Sequence, residues 1–168
     1  MTVLVAYATK RGSTREVAEA VAATLREQGL AVEVEPASAV QSVAPYEAVV
    51  LGGALYTGRW HRDARDFLRR HRHALAERRV AVFGMGPRTL GEHDVAGSRA
   101  QLDKALAGVP EVTPAAVAIF GGVVDPAALR FPFNRMPASD ARDWDAIESW
   151  TTELSGAFAV PQHVERRR

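Results

Sequence analysis

The chain has no cysteine among its 168 residues. That excludes disulfides, thiolate metal centres, iron–sulfur clusters and a cysteine nucleophile, and it agrees with a reducing cytoplasm as the expected location. A surplus of one charge is missing as well: 21 basic side chains against 20 acidic ones leave +1 with histidine neutral. No global field attracts a polyanion, so a nucleic-acid partner is not expected. Long apolar runs are also absent. The apolar stretch within Met1–Lys10 is too short for a signal sequence, and nowhere are there the ~18 consecutive apolar residues of a membrane-spanning helix. The length suits a single domain, expected over residues 1–158 with a loose tail over 159–168.

What is present is a regular alternation. Val3–Tyr7 is a short apolar run rich in β-branched residues, which reads as a strand buried on both faces. From Thr14 to Gln28 the spacing changes to Val17, Val21 and Leu25, one face of a helix that Gly29 is placed to end. Leu30–Val34, Glu47–Leu51, Val80–Phe83 and Val117–Phe120 read as further strands. Arg62–Ala76 reads as a helix, Ser98–Leu106 as a short one. A last helix is expected to start near Ser139 or Asp140, with Trp144, Ile147, Trp150 and Leu154 on its core face. Strands that are apolar throughout, alternating with helices, predict a parallel sheet covered on both sides. Five such strands suit a doubly wound α/β domain better than an eightfold barrel. Gly121–Ser139 is an irregular, proline-containing stretch, long enough to carry function.

Chemistry concentrates where the strands end. Thr9-Lys10-Arg11-Gly12-Ser13-Thr14 follows the first strand and opens the first helix. Its hydroxyls and the free N–H groups of the helix start suit a phosphate, and the helix dipole favours the negative charge. There is no Gly-Lys-Ser/Thr triplet and no Gly-x-Gly-x-x-Gly, which argues against a nucleotide P-loop and a dinucleotide pyrophosphate. The other reading is that Ser13 or Thr14 simply caps the helix. Gly52-Gly53-Ala54-Leu55-Tyr56-Thr57, Gly84-Met85-Gly86 and Gly121-Gly122 close three further strands. Ligands of open α/β sheets sit beyond these carboxyl ends. Glycines there let backbone approach a flat ligand, on which Tyr56 or Trp60 would stack; otherwise they only make turns.

Three blocks resemble a known family. Thr9, Gly12 and Thr14 form the Thr-x-x-Gly-x-Thr pattern of the flavodoxin phosphate loop. The segments Ala8–Ala18 and Val49–His61, with Asp143-Trp144 at the last helix, are similar to the flavodoxin-like branch that includes menaquinone-dependent protoporphyrinogen dehydrogenase. The resemblance implies a flavodoxin-like sheet of strand order 2-1-3-4-5 and an FMN cofactor. It implies that Thr9, Lys10, Arg11, Gly12, Ser13 and Thr14 hold the FMN phosphate. Gly53, Ala54, Leu55, Tyr56 and Thr57 would border the isoalloxazine, with Gly84, Met85 and Gly86 supplying backbone to its pyrimidine side. A deazaflavin with a similar phosphate arm would fit the same pattern. The chain departs from that branch after the fifth strand, where it has only Leu129–Pro137 in place of a longer basic, apolar segment.

Two functions follow from the resemblance: an FMN-dependent oxidoreductase for a small or quinone-like molecule, or an electron carrier docking redox partner proteins. A third reading keeps the fold as a flavin-free interaction module. The net charge of +1 departs from the acidic character typical of carriers. His61 and Arg130 are the candidate catalytic side chains, His61 at the flavin edge or as a helix cap, Arg130 pairing an acidic substrate. Phe131 and Phe133 would wall the substrate side or collapse onto the core. His71 and His73 face different directions on one helix, His93 lies in an expected loop and His163 in the tail, so no metal site is expected. The basic stretch Arg59–Arg79 is either a peripheral contact for anionic headgroups or an acidic partner, or a solvated helix face.

Overall fold

The computed structural model describes residues 1–9, 12–56, 58–86, 90–124, 135 and 138–159. Five parallel strands, β1 (Thr2–Ala8), β2 (Ala31–Pro36), β3 (Ala48–Tyr56), β5 (Arg79–Met85) and β6 (Ala116–Phe120), lie in the order β2-β1-β3-β5-β6. This is the expected 2-1-3-4-5 arrangement once the two-residue β4 (Arg59–Trp60) is set apart. β4 folds back antiparallel onto the end of β3, pairing Leu55 with Trp60, across a turn in which Gly58 has φ +83°. β3 therefore runs five residues beyond the end expected from its apolar run.

The pleat sends alternate residues of each strand to opposite layers. Leu4, Ala6, Val49, Leu51, Val80 and Val82 join the core beneath α2 (Arg62–Ala76) and α3 (Glu92–Ala107). Val3, Val5, Val50, Ala81 and Phe83 join the core beneath α1 (Ser13–Glu27) and α4 (Trp144–Ala159). Burial on both faces is why these strands read as unbroken apolar runs.

Three expectations need correction. α3 starts at Glu92, six residues before the expected Ser98, and so includes His93. Only Ser98 and Leu102 of α3 are buried, so its first turns carry no apolar stripe to read. α4 starts at Trp144 because Ser139–Asp140 form a strand, β8, paired with β7 (Val123–Val124). Asp143 then caps the helix, its carboxylate accepting the Ala146 N–H at 3.0 Å. Trp144, expected in the core, is 44% exposed and lies under the Arg142 guanidinium, 4.8 Å from the ring centroid. The expected core residues Ile147 and Leu154 are buried, and Trp150 packs edge-on against Phe83 and Phe120.

Four of the eight arginines in the basic stretch anchor neighbouring backbone. Arg65 donates to the Trp60 carbonyl at 3.0 Å, Arg70 to Ala37 at 3.1 Å, Arg78 to Tyr46 at 2.8 Å, and Arg79 to the carbonyl of Phe158. On the same helix His71 is buried against the Phe67 ring, while His73 is exposed. Burial first, and then the neighbouring Arg70, hold the His71 imidazole below its ordinary value of 6.5, against an opposing hydrogen bond with the Val40 backbone. The unfolded chain therefore takes up this proton more readily than the native one. The stability His71 contributes is present above pH 6.5 and is lost as the pH falls through the unfolded value towards the lowered native one. His71→Gln is expected to flatten the fall in thermal midpoint between pH 7.5 and pH 5. An unchanged slope would show that other groups carry the acid sensitivity.

Candidate functional site

β1 points its carboxyl end at the place where the strand order reverses, between β1 and β3, the usual ligand crevice of an open α/β sheet. Ala8 lies beside Gly53 in register, and Gly53 beside Gly84, so the ends of β1, β3 and β5 form one rim. Gly86 joins it to β6 by donating to the Phe120 carbonyl at 3.3 Å.

The turn out of β1 is closed by Thr9, whose hydroxyl oxygen accepts the Gly12 N–H at 3.0 Å. Gly12 occupies the left-handed region at φ +89°, where a side chain would be strained. It is also the N-cap of α1, and no side chain caps that helix. Neither Ser13 nor Thr14 has the capping role that was the alternative reading. The first N–H groups of α1 have no acceptor within the helix. Beside them Thr14 is fully buried, and its hydroxyl has no hydrogen-bond partner among the described residues. A buried hydroxyl left unpaired costs on the order of 1–3 kcal/mol. Its position at a helix start, in a loop shaped by a positive-φ glycine, matches what an anionic oxygen would complete. Lys10 and Arg11 lie outside the described residues.

Other expected site residues are distributed differently. Trp60 is not a stacking platform: it is buried, and its indole N–H donates to the Gly53 carbonyl at 3.0 Å. A Cβ at Gly53 would come within 2.5 Å of that indole nitrogen, and one at Gly86 within 2.7 Å of Leu55. These glycines let the chain pack against itself. Ala54 and Met85 are buried and Leu55 half-buried. Thr57 and the Tyr56 side chain lie outside the described part, as do Arg130, Phe131, Phe133 and His163. His61 caps α2, its Nδ1 accepting the Asp63 N–H at 3.0 Å, the capping expected among its readings.

The residue-by-residue reading missed Arg142. Only 11% of its side chain is exposed. It grips Asp140 through two contacts, 2.8 and 3.0 Å, and reaches Glu16 in the first turn of α1. The guanidinium holds the Asp140 carboxyl below the usual carboxylate range, against the opposing effect of burial. This bridge ties the β7–β8 ribbon to the start of α1. The ribbon comes close because Gly121 has no side chain: a Cβ there would meet the Ala141 carbonyl oxygen at 2.0 Å. The Asp-x-Arg spacing before the capping Asp143 was the available signal.

Comparison with known proteins agrees with this geometry. A cysteine-to-serine mutant of flavodoxin from Pseudomonas aeruginosa superposes with a TM-score of 0.63 at 18% identity, covering 95% of this chain and 100% of that one. Rubredoxin oxygen:oxidoreductase from Desulfovibrio gigas gives 0.63 at 16% identity, over 94% of this chain and 36% of that one. A Fusobacterium nucleatum flavodoxin bound to flavin mononucleotide gives 0.53 at 15% identity, over 94% and 98%. No curated protein sequence matches significantly. The family model for the flavodoxin domain matches residues 4–136, from β1 through the rim and past β6. The chain thus belongs to the flavodoxin domain family.

Proposed function

We propose that the rim binds FMN by its phosphate, and that the chain is an FMN-dependent oxidoreductase acting on a small or quinone-like molecule. The observation that carries the cofactor assignment is the buried Thr14 hydroxyl, without a hydrogen-bond partner among the described residues, at the start of α1, where none of their side chains caps the helix. Thr9, Gly12, Ser13 and Thr14, with Lys10 and Arg11, would hold the phosphate. The segment Gly53–Thr57 would border the ring system, with the backbone of Gly84, Met85 and Gly86 on its pyrimidine side. Bound FMN supplies reversible one- and two-electron chemistry. The chain's own contribution is placement. Lys10 and Arg11 add positive charge to a loop already favoured by the helix dipole. Trp60 fixes the direction of the Gly53 carbonyl, and buried Ala54 and Met85 keep the base of the rim dry.

The porphyrin or quinone version of this reading comes only from the resemblance of the blocks Ala8–Ala18, Val49–His61 and Asp143-Trp144 to the protoporphyrinogen dehydrogenase branch, and those blocks speak for FMN rather than for a substrate. A second reading, a carrier docking redox proteins, is favoured by end-to-end coverage of a free-standing flavodoxin. Stepwise reduction separates them: a long plateau after one electron indicates the carrier, direct two-electron uptake the oxidoreductase. No helix among the described residues is long and apolar enough to cross a membrane. Titration of the purified protein with riboflavin 5′-phosphate is expected to give a yellow, saturable complex with quenched flavin fluorescence. Mass identification of any heat-released molecule distinguishes FMN from a deazaflavin. Protein that stays colourless with excess FMN and releases no flavin would overturn the assignment.

A further inference from the structure

On the α2–α3 side of the sheet, β4, α2 and α3 enclose a cleft of about 330 Å³. That volume falls at the small end of the ~300–1,000 Å³ range of ligand pockets. Four cationic side chains, Arg59, Arg65, Arg69 and Lys104, line it, and among the described residues no carboxylate does. Arg69 is neutralised by Asp66, one turn away on α2. Arg59, Arg65 and Lys104 have no carboxylate partner among the described residues. Elsewhere the chain pairs such groups readily, as in Arg15–Glu19 and Arg99–Asp103. Arg65 is held at the wall of the cleft by its hydrogen bond to the Trp60 carbonyl. The floor is apolar, made by buried Trp60 and Val109 with half-buried Ala105.

We infer that this cleft is a binding site for a small polyanion, a molecule with two or more clustered phosphate or carboxylate groups. A solvated basic face needs neither concavity nor an apolar floor. Three unpaired cations around one hollow repel each other, and a multivalent anion relieves that repulsion while the walls limit its size. The nearly neutral chain makes the concentration local rather than a by-product of overall charge. The cleft shares no residue with the phosphate loop; through Gly58, Arg59 and Trp60 it adjoins the Gly53–Thr57 segment proposed to border the flavin ring.

Isothermal titration of the full chain in saturating FMN, with inorganic pyrophosphate and separately with citrate, tests it. Saturable binding is expected, weakening as sodium chloride is raised. Arg59→Glu and Lys104→Glu, both on exposed side chains, are each expected to weaken it about tenfold or more. Ala105→Trp fills the hollow without changing charge and is expected to weaken it as well. Thr14→Val, which alters only the phosphate loop, should leave it intact even if the protein takes up no FMN. Binding of both probes shows recognition of clustered charge, and binding of pyrophosphate alone narrows the class to phosphates; either outcome supports the site. No saturable binding, or binding indifferent to Lys104→Glu and Ala105→Trp, would overturn it.

Discussion

Thr14→Val should make the unliganded protein more stable and its hold on FMN weaker. The two side chains have nearly the same shape and are both β-branched, so packing and helix propensity change little. The hydroxyl, however, is fully buried without a partner among the described residues. Removing an unsatisfied buried group is expected to gain ~1 kcal/mol in the apoprotein, read as a higher thermal midpoint. If the same hydroxyl donates to the phosphate, its loss removes a charge-assisted hydrogen bond, a weakening of about ten- to a hundredfold in FMN affinity. The opposite signs make the test sharp, because a generally damaging substitution would move both quantities downwards. Gly12 gives an independent measure. Nothing lies within 4 Å of where a Cβ would be, so Gly12→Ala introduces backbone strain without a clash. Gly12→Asp adds a carboxylate, and its extra loss of FMN affinity over Gly12→Ala isolates the charge. Equal affinities for the two variants would move the phosphate away from this loop.

The parts of this molecule that were legible from sequence are those where burial imposes a period. The parallel strands are apolar throughout because both faces are covered, and α1 shows its stripe at Val17, Val21 and Leu25 because one face meets the sheet. The start of α3 was hidden for the converse reason: its first turns face solvent and carry no stripe. Trp144 shares the core spacing of its helix, yet it occupies the first position after the Asp143 cap and stacks under Arg142 instead. At the site, the composition Thr9–Thr14 revealed a hydroxyl-rich loop at a helix start. It did not reveal that Gly12 is the cap and that Thr14 is buried without a partner among the described residues, since both depend on the three-dimensional path out of β1. The strand-end glycines offer, from sequence alone, either close approach to a flat ligand or simple turns. At Gly52, Gly53 and Gly86 the space is taken by Phe83, Trp60 and Leu55; Phe83 is brought opposite Gly52 by the sheet register, and Trp60 reaches Gly53 where β4 folds back on β3.

Gly52 shows how strongly that register constrains composition. It is paired with Phe83 on the neighbouring strand, and a Cβ built on it would fall 2.0 Å from the Phe83 ring. The ring has little freedom to retreat. It is fully buried, with Phe120 5.5 Å and Trp150 6.1 Å away between centroids. Gly52→Ala, an ordinary change in most strands, is therefore expected to destabilise the protein by ~1–3 kcal/mol through overpacking, measured by denaturant unfolding. Phe83→Leu alone should also destabilise it, by leaving a cavity beside Phe120 and Trp150. The two together should cost less than their sum, because the shorter side chain vacates the space the new methyl needs. A coupling of ~1 kcal/mol or more is the expected result of the double-mutant cycle. Strict additivity would mean that the ring and the glycine do not share that space. Because Gly52 precedes Gly53 in β3, the same register that seats the ring also sets where the rim begins. Gly52→Ala is therefore expected to weaken FMN binding too, with Phe83→Leu restoring part of both losses.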